Sequence, residues 1–219
     1  MTDGLAPRVP GPPAFPRARG LALAWLLIWA PAYTWGYGWA NFLQLCDLAV
    51  ILTCVGLWRG SPLLLGMSAV SSLVVDVAWD LDLAFRALTG VHVFGGTEYM
   101  WDPRFALPLR LLSLFHVVWP ALLWWALRRV GYDRRALLAQ SLLALVVLGI
   151  SRVVQPDANI NFARADPFTH RSWGPPLVHV GLTALALLGL VYAPTHALLR
   201  RVMPRPALSG RPRYPGAAR

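Results

Sequence analysis

From Pro62 to Leu88 the chain is apolar for long enough to cross a bilayer, which takes about 20 residues as a helix. Yet the second half of this run carries Asp76, Asp80 and Asp82. A carboxylate at membrane depth costs at least about 2.5 kcal/mol, so acids kept there usually have a task. Asp76 and Asp80 are four residues apart, which on a helix puts them on one face roughly 6 Å from each other, while Asp82 points elsewhere and sits closer to the end. Two such carboxylates suit a metal, a proton relay or a paired cation. The plainer alternative is an acid that ties helices together by hydrogen bonds or snorkels to the interface.

The remainder of the chain agrees with a membrane setting. Of 219 residues 57% are hydrophobic and only 14% charged, with 11 Trp, which excludes an ordinary soluble core. The net charge of +10 comes entirely from arginine, and these arginines gather at the ends of apolar segments. That pattern is a topology signal, so no nucleic-acid partner is expected. Cys46 and Cys54 fall on one segment, about 12 Å apart along a helix, too far for a disulfide, and no Cys/His spacing for structural zinc is present.

Six apolar segments predict an all-α integral membrane fold with six transmembrane helices: Leu21 to Tyr37, Asn41 to Trp58, Pro62 to Leu88, Leu107 to Leu127, Ala136 to Val154 and Leu177 to Leu199. Residues 1–20 read as a disordered basic tail and 200–219 as a basic C-terminal tail that anchors to anionic lipid, with 21–199 as the membrane domain. The first segment, with its basic flank and Ala30 to Ala32, also fits a cleaved signal peptide, but its apolar run continues to Trp39, which favours a retained helix. The arginines at 8, 17, 19, 59, 128, 129, 134, 135, 200 and 201 fall on one side, so the positive-inside rule predicts both termini in the cytoplasm. A bacterial cytoplasmic (inner) membrane is the expected location, and the bilayer itself is the first partner.

With that topology the chemistry-bearing groups share a depth. At about 1.5 Å per residue, Asp76 and Asp80 lie in the outer half of the third segment and Cys46 and Asp47 in the outer half of the second. His116, with Ser113 beside it and Arg110 above, lies about 13 Å below the outer surface, and His179 is shallower. Asn159 and Asn161 roof this slab from the loop 155–176, and the loop 89–106 adds an aromatic cluster. For any single Trp or Tyr there, an interfacial belt is the simpler explanation. Pro120 removes the helical partner of the His116 carbonyl, which predicts a bend beside the imidazole. Taken singly, His116 also fits a core histidine bonded to Ser113 or an aspartate, and Cys46 a small buried hydrophobe. Taken together they suit a nucleophile and its base.

Three short motifs, Leu43-Gln44-Leu45-Cys46-Asp47-Leu48-Ala49, Phe115-His116 with Pro120, and Asn159-Ile160-Asn161-Phe162, resemble those of the bacterial YwaF-like integral membrane proteins and of their eukaryotic relative, a membrane acyltransferase that remodels ether phospholipids. More distantly the arrangement is similar to the androgen-induced multi-pass hydrolases of fatty-acid esters of hydroxy fatty acids, which pair Thr with His. The resemblance spans Asn41 to His179. It implies Cys46 as nucleophile, His116 as general base, and Asn159 and Asn161 near the acyl carbonyl. Asp76 and Asp80 have no counterpart in it, and Phe162 stands where a Tyr is expected.

The leading expectation is therefore a lipid-modifying enzyme without cofactor or metal, which transfers or hydrolyses an acyl group of a membrane phospholipid or fatty-acyl ester. Cys46 and His116 would be catalytic with Asp47 or Asp76 orienting the imidazole, and Asp80, Arg110, Ser113, Asn159, Asn161 and His179 would contact substrate. One rival is a metal-dependent hydrolase using Asp76, Asp80, His116 and His179. The other is a small transporter or assembly subunit in which the aspartates bind a cation or a helix partner.

Overall fold

The structure, a computed structural model, describes residues 14–93 and 95–206. Long apolar runs with punctuated ends fold as eight α-helices: α1 Pro16–Tyr37, α2 Leu45–Arg59, α3 Pro62–Thr89, α4 Leu107–Leu112, α5 Phe115–Val130, α6 Ala136–Val153, α7 Pro176–Ala186 and α8 Ala193–Val202. No strand occurs among the described residues. The punctuation is that of helix ends: Ser61 accepts the Leu64 N–H at the start of α3, ahead of Pro62, and Gly60 and Gly90 close α2 and α3 in left-handed conformation. Helices α4 and α5 form one interrupted rod, and α7 and α8 form another joined by a π-helical turn at Leu187–Tyr192.

Four rods are long and apolar enough to cross a membrane: Pro62–Thr89, Leu107–Val130, Ala136–Val153 and Pro176–Val202. They mark a multi-pass membrane protein. Of the two other expected spans, α2 has only 15 residues, about 22 Å of helix, because Trp39–Leu43 form a 3₁₀ turn before it. Helix α1 is diluted by Arg17, Arg19 and its Trp and Tyr residues, yet it contributes Trp29 and Tyr33 to the core.

Helix α3 is the axis of the bundle and packs against α2, α5, α6, the π turn and α8. Its segment from Leu65 to Ser72 is buried on every side, whereas further on Val74, Val75, Val77, Leu81 and Phe85 face outward. Close approach to α6 depends on Gly66, where a Cβ would stand 2.9 Å from that of Ala136.

Both expected tails are shorter than their boundaries at residues 20 and 200 implied. Helix α1 begins at Pro16 with Phe15 buried beneath it, and α8 runs on to Val202, after which Met203 is buried and the Pro204 carbonyl accepts the Tyr132 N–H at 2.8 Å. Apolar Phe15 and Met203 each find a core site, so the adjoining arginines are carried on ordered chain. Residues 1–13 and 207–219 of those tails lie outside the described residues.

Candidate functional site

The second half of α3 meets the start of α5 at Asp76 and His116. Pro120 has no N–H for the carbonyl four residues back, and the rod tightens just upstream: Ser113, Leu114, His116 and Val117 all donate to the carbonyl three residues before them. The interruption falls at Ser113–Leu114, about two turns before the proline, while α5 continues through Pro120 itself. That break turns the His116 ring back on its own chain, where Nδ1–H donates to the Ser113 carbonyl at 2.8 Å. That bond fixes the tautomer, so Nε2 carries the lone pair of the neutral ring.

Nε2 faces Asp76 Oδ1 at 4.0 Å, with both side chains buried. Neither Asp76 oxygen has a hydrogen-bond partner. Trp79, one turn along on α3, stacks on the imidazole with centroids 4.5 Å apart, and Phe115 stacks at 4.0 Å. A carboxylate and an imidazole in an apolar wall hold one proton between them, either as an ion pair or as acid and free base. Asp80 lies within electrostatic range of Asp76 and keeps one buried oxygen unpartnered.

Cys46 and Asp47 occupy the first turn of α2. Asp47 is buried and accepts from Asn41 Nδ2 at 2.6 Å, so it belongs to the 3₁₀ turn before α2, and the carboxylate beside His116 is Asp76. Cys46 is half-buried and in electrostatic range of both Asp47 and Asp76. No hydrogen bond joins it to His116, and Asp76 is the group within electrostatic range of both. Ser113 Oγ bonds Tyr33 OH at 2.7 Å, at the edge of an aromatic stack that runs through Tyr37 to Tyr99.

The other expected substrate contacts are occupied by the protein itself. Asn159 Oδ1 accepts from the N–H groups of Arg164 and Ala165, and its Nδ2 donates to the Ala165 carbonyl, which shapes the loop internally. Asn161 reaches across to the start of α2: Oδ1 accepts from the Leu45 N–H at 2.9 Å, and Nδ2 donates to the Leu43 carbonyl at 2.7 Å and to Ser151 Oγ at 3.0 Å. His179 is fully buried with both nitrogens engaged, Nδ1 by the Trp173 N–H and Nε2–H by the Phe162 carbonyl. Arg110 is pinned to the Met100 carbonyl at 2.7 Å.

The ligand set expected for a metal is therefore not assembled. His179 is spent on loop backbone, and among the described residues no three His, Cys, Asp or Glu side chains are grouped to hold an ion.

Two polar features escape the sequence pattern. Asp82, expected to point away, is fully buried and gathers the loop that follows α3: it accepts from His92 Nδ1 at 2.8 Å, from the N–H groups of Val93 and Gly95, and from the Thr97 hydroxyl. Below Asp76, Ser72, Ser71 and Ser68 continue a buried polar column along α3. Ser71 lies close to Tyr192 without bonding it, and Tyr192 OH accepts from Gln140 Nε2 at 3.4 Å. Four residues beyond Tyr192, His196 bonds Tyr132 OH at 2.6 Å. Serines and a glutamine in apolar sequence look like filler until the packing sets them on one line.

No known protein family, no curated protein and no solved structure matches this chain.

Proposed function

We propose that the protein is a lipid-modifying enzyme of the bacterial cytoplasmic membrane, with six spans and both termini in the cytoplasm. It cleaves or transfers an acyl ester in the outer half of the bilayer. The observation that carries the reading is the His116–Asp76 pair: a ring locked by its own Ser113 carbonyl, with its free nitrogen turned to a buried carboxylate whose other near neighbour is the Ser72 hydroxyl. Catalytic acids and bases are held in this manner.

When substrate binds, the proton the pair shares passes from Asp76 to His116, giving carboxylate and imidazolium. As Cys46 Sγ bonds to the ester carbonyl carbon, its proton passes to Asp76, and His116 gives its Nε2 proton to the departing alkoxide. A lysolipid hydroxyl or water then attacks the acyl-Cys, its proton goes to neutral His116, and the departing thiolate recovers the proton from Asp76. Asp76 is thus the group that reaches both partners, consistent with the separation of Cys46 from His116.

The test is labelling of purified protein with an acyl-ester activity probe, compared across wild type, Cys46→Ala, His116→Ala and Asp76→Asn. Labelling is expected to be lost in all three variants while each still elutes as folded protein. Undiminished labelling of His116→Ala sinks the reading.

The buried column from Asp76 through the serines to Tyr192 and Gln140 favours one rival, a proton-coupled carrier. In that case proteoliposomes acidify under an imposed potential, the Gln140→Leu variant does not, and no probe labels Cys46.

A further inference from the structure

At the end of the bundle opposite Asp76, Arg134, Ala197, Arg200 and Arg201 line an open groove of about 240 Å³ between the start of α6 and the last turn of α8. All three arginines are exposed, and none makes an ion pair with any described residue. The nearest acid, Asp133, is taken by Arg135 at 2.7 Å. Residues 207–219 add arginines and no acidic side chain. At the start of α6 the Asp133 carboxylate also accepts the Arg135 N–H at 3.0 Å, so the positive field comes from the arginines and not from the helix end. That field reaches the neighbouring Tyr132–His196 pair: Arg200 acts on both rings and Arg134 on His196.

Three like charges at one groove repel unless an anion joins them, and guanidinium forks match phosphate oxygens in pairs. The groove lies at a helix end of the bundle, where a spanning rod would meet the headgroups, and Ala197 is its one uncharged lining residue. We infer that it binds the headgroup of an anionic phospholipid, with a terminal phosphate monoester preferred over a phosphodiester. A monoester carries up to two negative charges and three free oxygens for the three arginines. A phosphodiester offers one charge and two oxygens. The arginine-rich stretch is then a specific lipid site in addition to a marker of orientation.

The test is native mass spectrometry of the delipidated full chain in detergent, titrated separately with dioleoyl phosphatidate, phosphatidylglycerol and phosphatidylcholine, and with glycerol 3-phosphate. Phosphatidate is expected to bind most tightly, and the Arg134→Gln/Arg200→Gln/Arg201→Gln variant to bind it roughly a hundredfold more weakly, about what three arginines contribute at an anionic surface. Arg59→Gln/Arg129→Gln, also at helix ends rich in arginine but outside the groove, serves as the control and should change little. Because the three side chains are exposed and unpaired, the triple variant is expected to fold; should it not, Arg134→Gln alone must still weaken phosphatidate. Equal binding of phosphatidate and phosphatidylcholine, an equal loss in the control, or full competition by glycerol 3-phosphate at matched concentration would each overturn the inference, the last by making the ligand a soluble phosphate.

Discussion

Replacing Asn161 by Ala tests whether this residue ties the fold together or touches substrate. Its side chain makes three hydrogen bonds that join the loop before α7 to the start of α2 and the end of α6. At about 1 kcal/mol for each bond the loss is about 3 kcal/mol; at the weaker average of about 0.6 kcal/mol measured inside membrane bundles it is about 2. Asn161 also sits at φ +53°, where Ala is worse than Asn by about 1 kcal/mol. The expected destabilisation is therefore about 3–4 kcal/mol. Asn161→Gly deletes the same bonds without the backbone strain and should recover about 1 kcal/mol of it. Reversible unfolding in mixed micelles, followed by tryptophan fluorescence, reads both. An Ala variant within about 1 kcal/mol of wild type, or a Gly variant no better than Ala, would refute the reasoning. So would a stable Ala variant that had lost activity, since that result would return Asn161 to the substrate.

Two further predictions concern the loops. Gly131→Ala puts a Cβ 2.6 Å from the Pro206 nitrogen at φ +87°, so it should destabilise by about 2–3 kcal/mol and free the chain around Pro204 to protease, while an unchanged cleavage pattern would count against that packing. The Thr169 hydroxyl and N–H, together with the Phe168 N–H, hold the Asp166 carboxyl well below the usual carboxylate range. A depressed value means stability that is present above the unfolded value of about 3.9 and lost as pH falls through the folded one. Amide protection at Phe168 and Thr169 should thus persist at mildly acidic pH and vanish only in strong acid, and loss already near pH 5 would contradict the assignment.

The helices were legible because apolar run length and Pro or Gly punctuation are local properties. The observed ends of α3 and α6 fall within one residue of the expected ones, whereas the bend expected beside Pro120 is an interruption at Ser113–Leu114, about two turns upstream. Depth counting also brought Asp76 and His116 to one level, since two antiparallel rods of known rise share a common ruler. It could not separate Asp76 from Asp47, because the Asn41 that claims Asp47 lies in a 3₁₀ turn that the apolar pattern hides inside a helix. Asn159, Asn161 and His179 were given to substrate for a related reason. Their partners are backbone groups of long loops, and nothing in residue spacing announces which carbonyl will lie near which side chain. Asp82 shows the same limit from the other direction, since the groups that fill it come from the loop at 92–97.

The π turn at Leu187–Tyr192 has an evolutionary consequence. Such a turn is one residue more than a regular helix needs, and removing that residue rotates everything beyond it by about 100° and draws it back by about 1.5 Å. On the near side His179 is clamped by Trp173 and Phe162; on the far side Tyr192 meets Gln140 and His196 meets Tyr132. A single-codon deletion here would leave the His179 clamp intact and carry the Tyr192 and His196 pairs off their partners, with Arg200 and Arg201 displaced from Arg134. In chains descended from a common ancestor, the extra residue, the Tyr192–Gln140 pair and the arginine groove should therefore be gained or lost as one character.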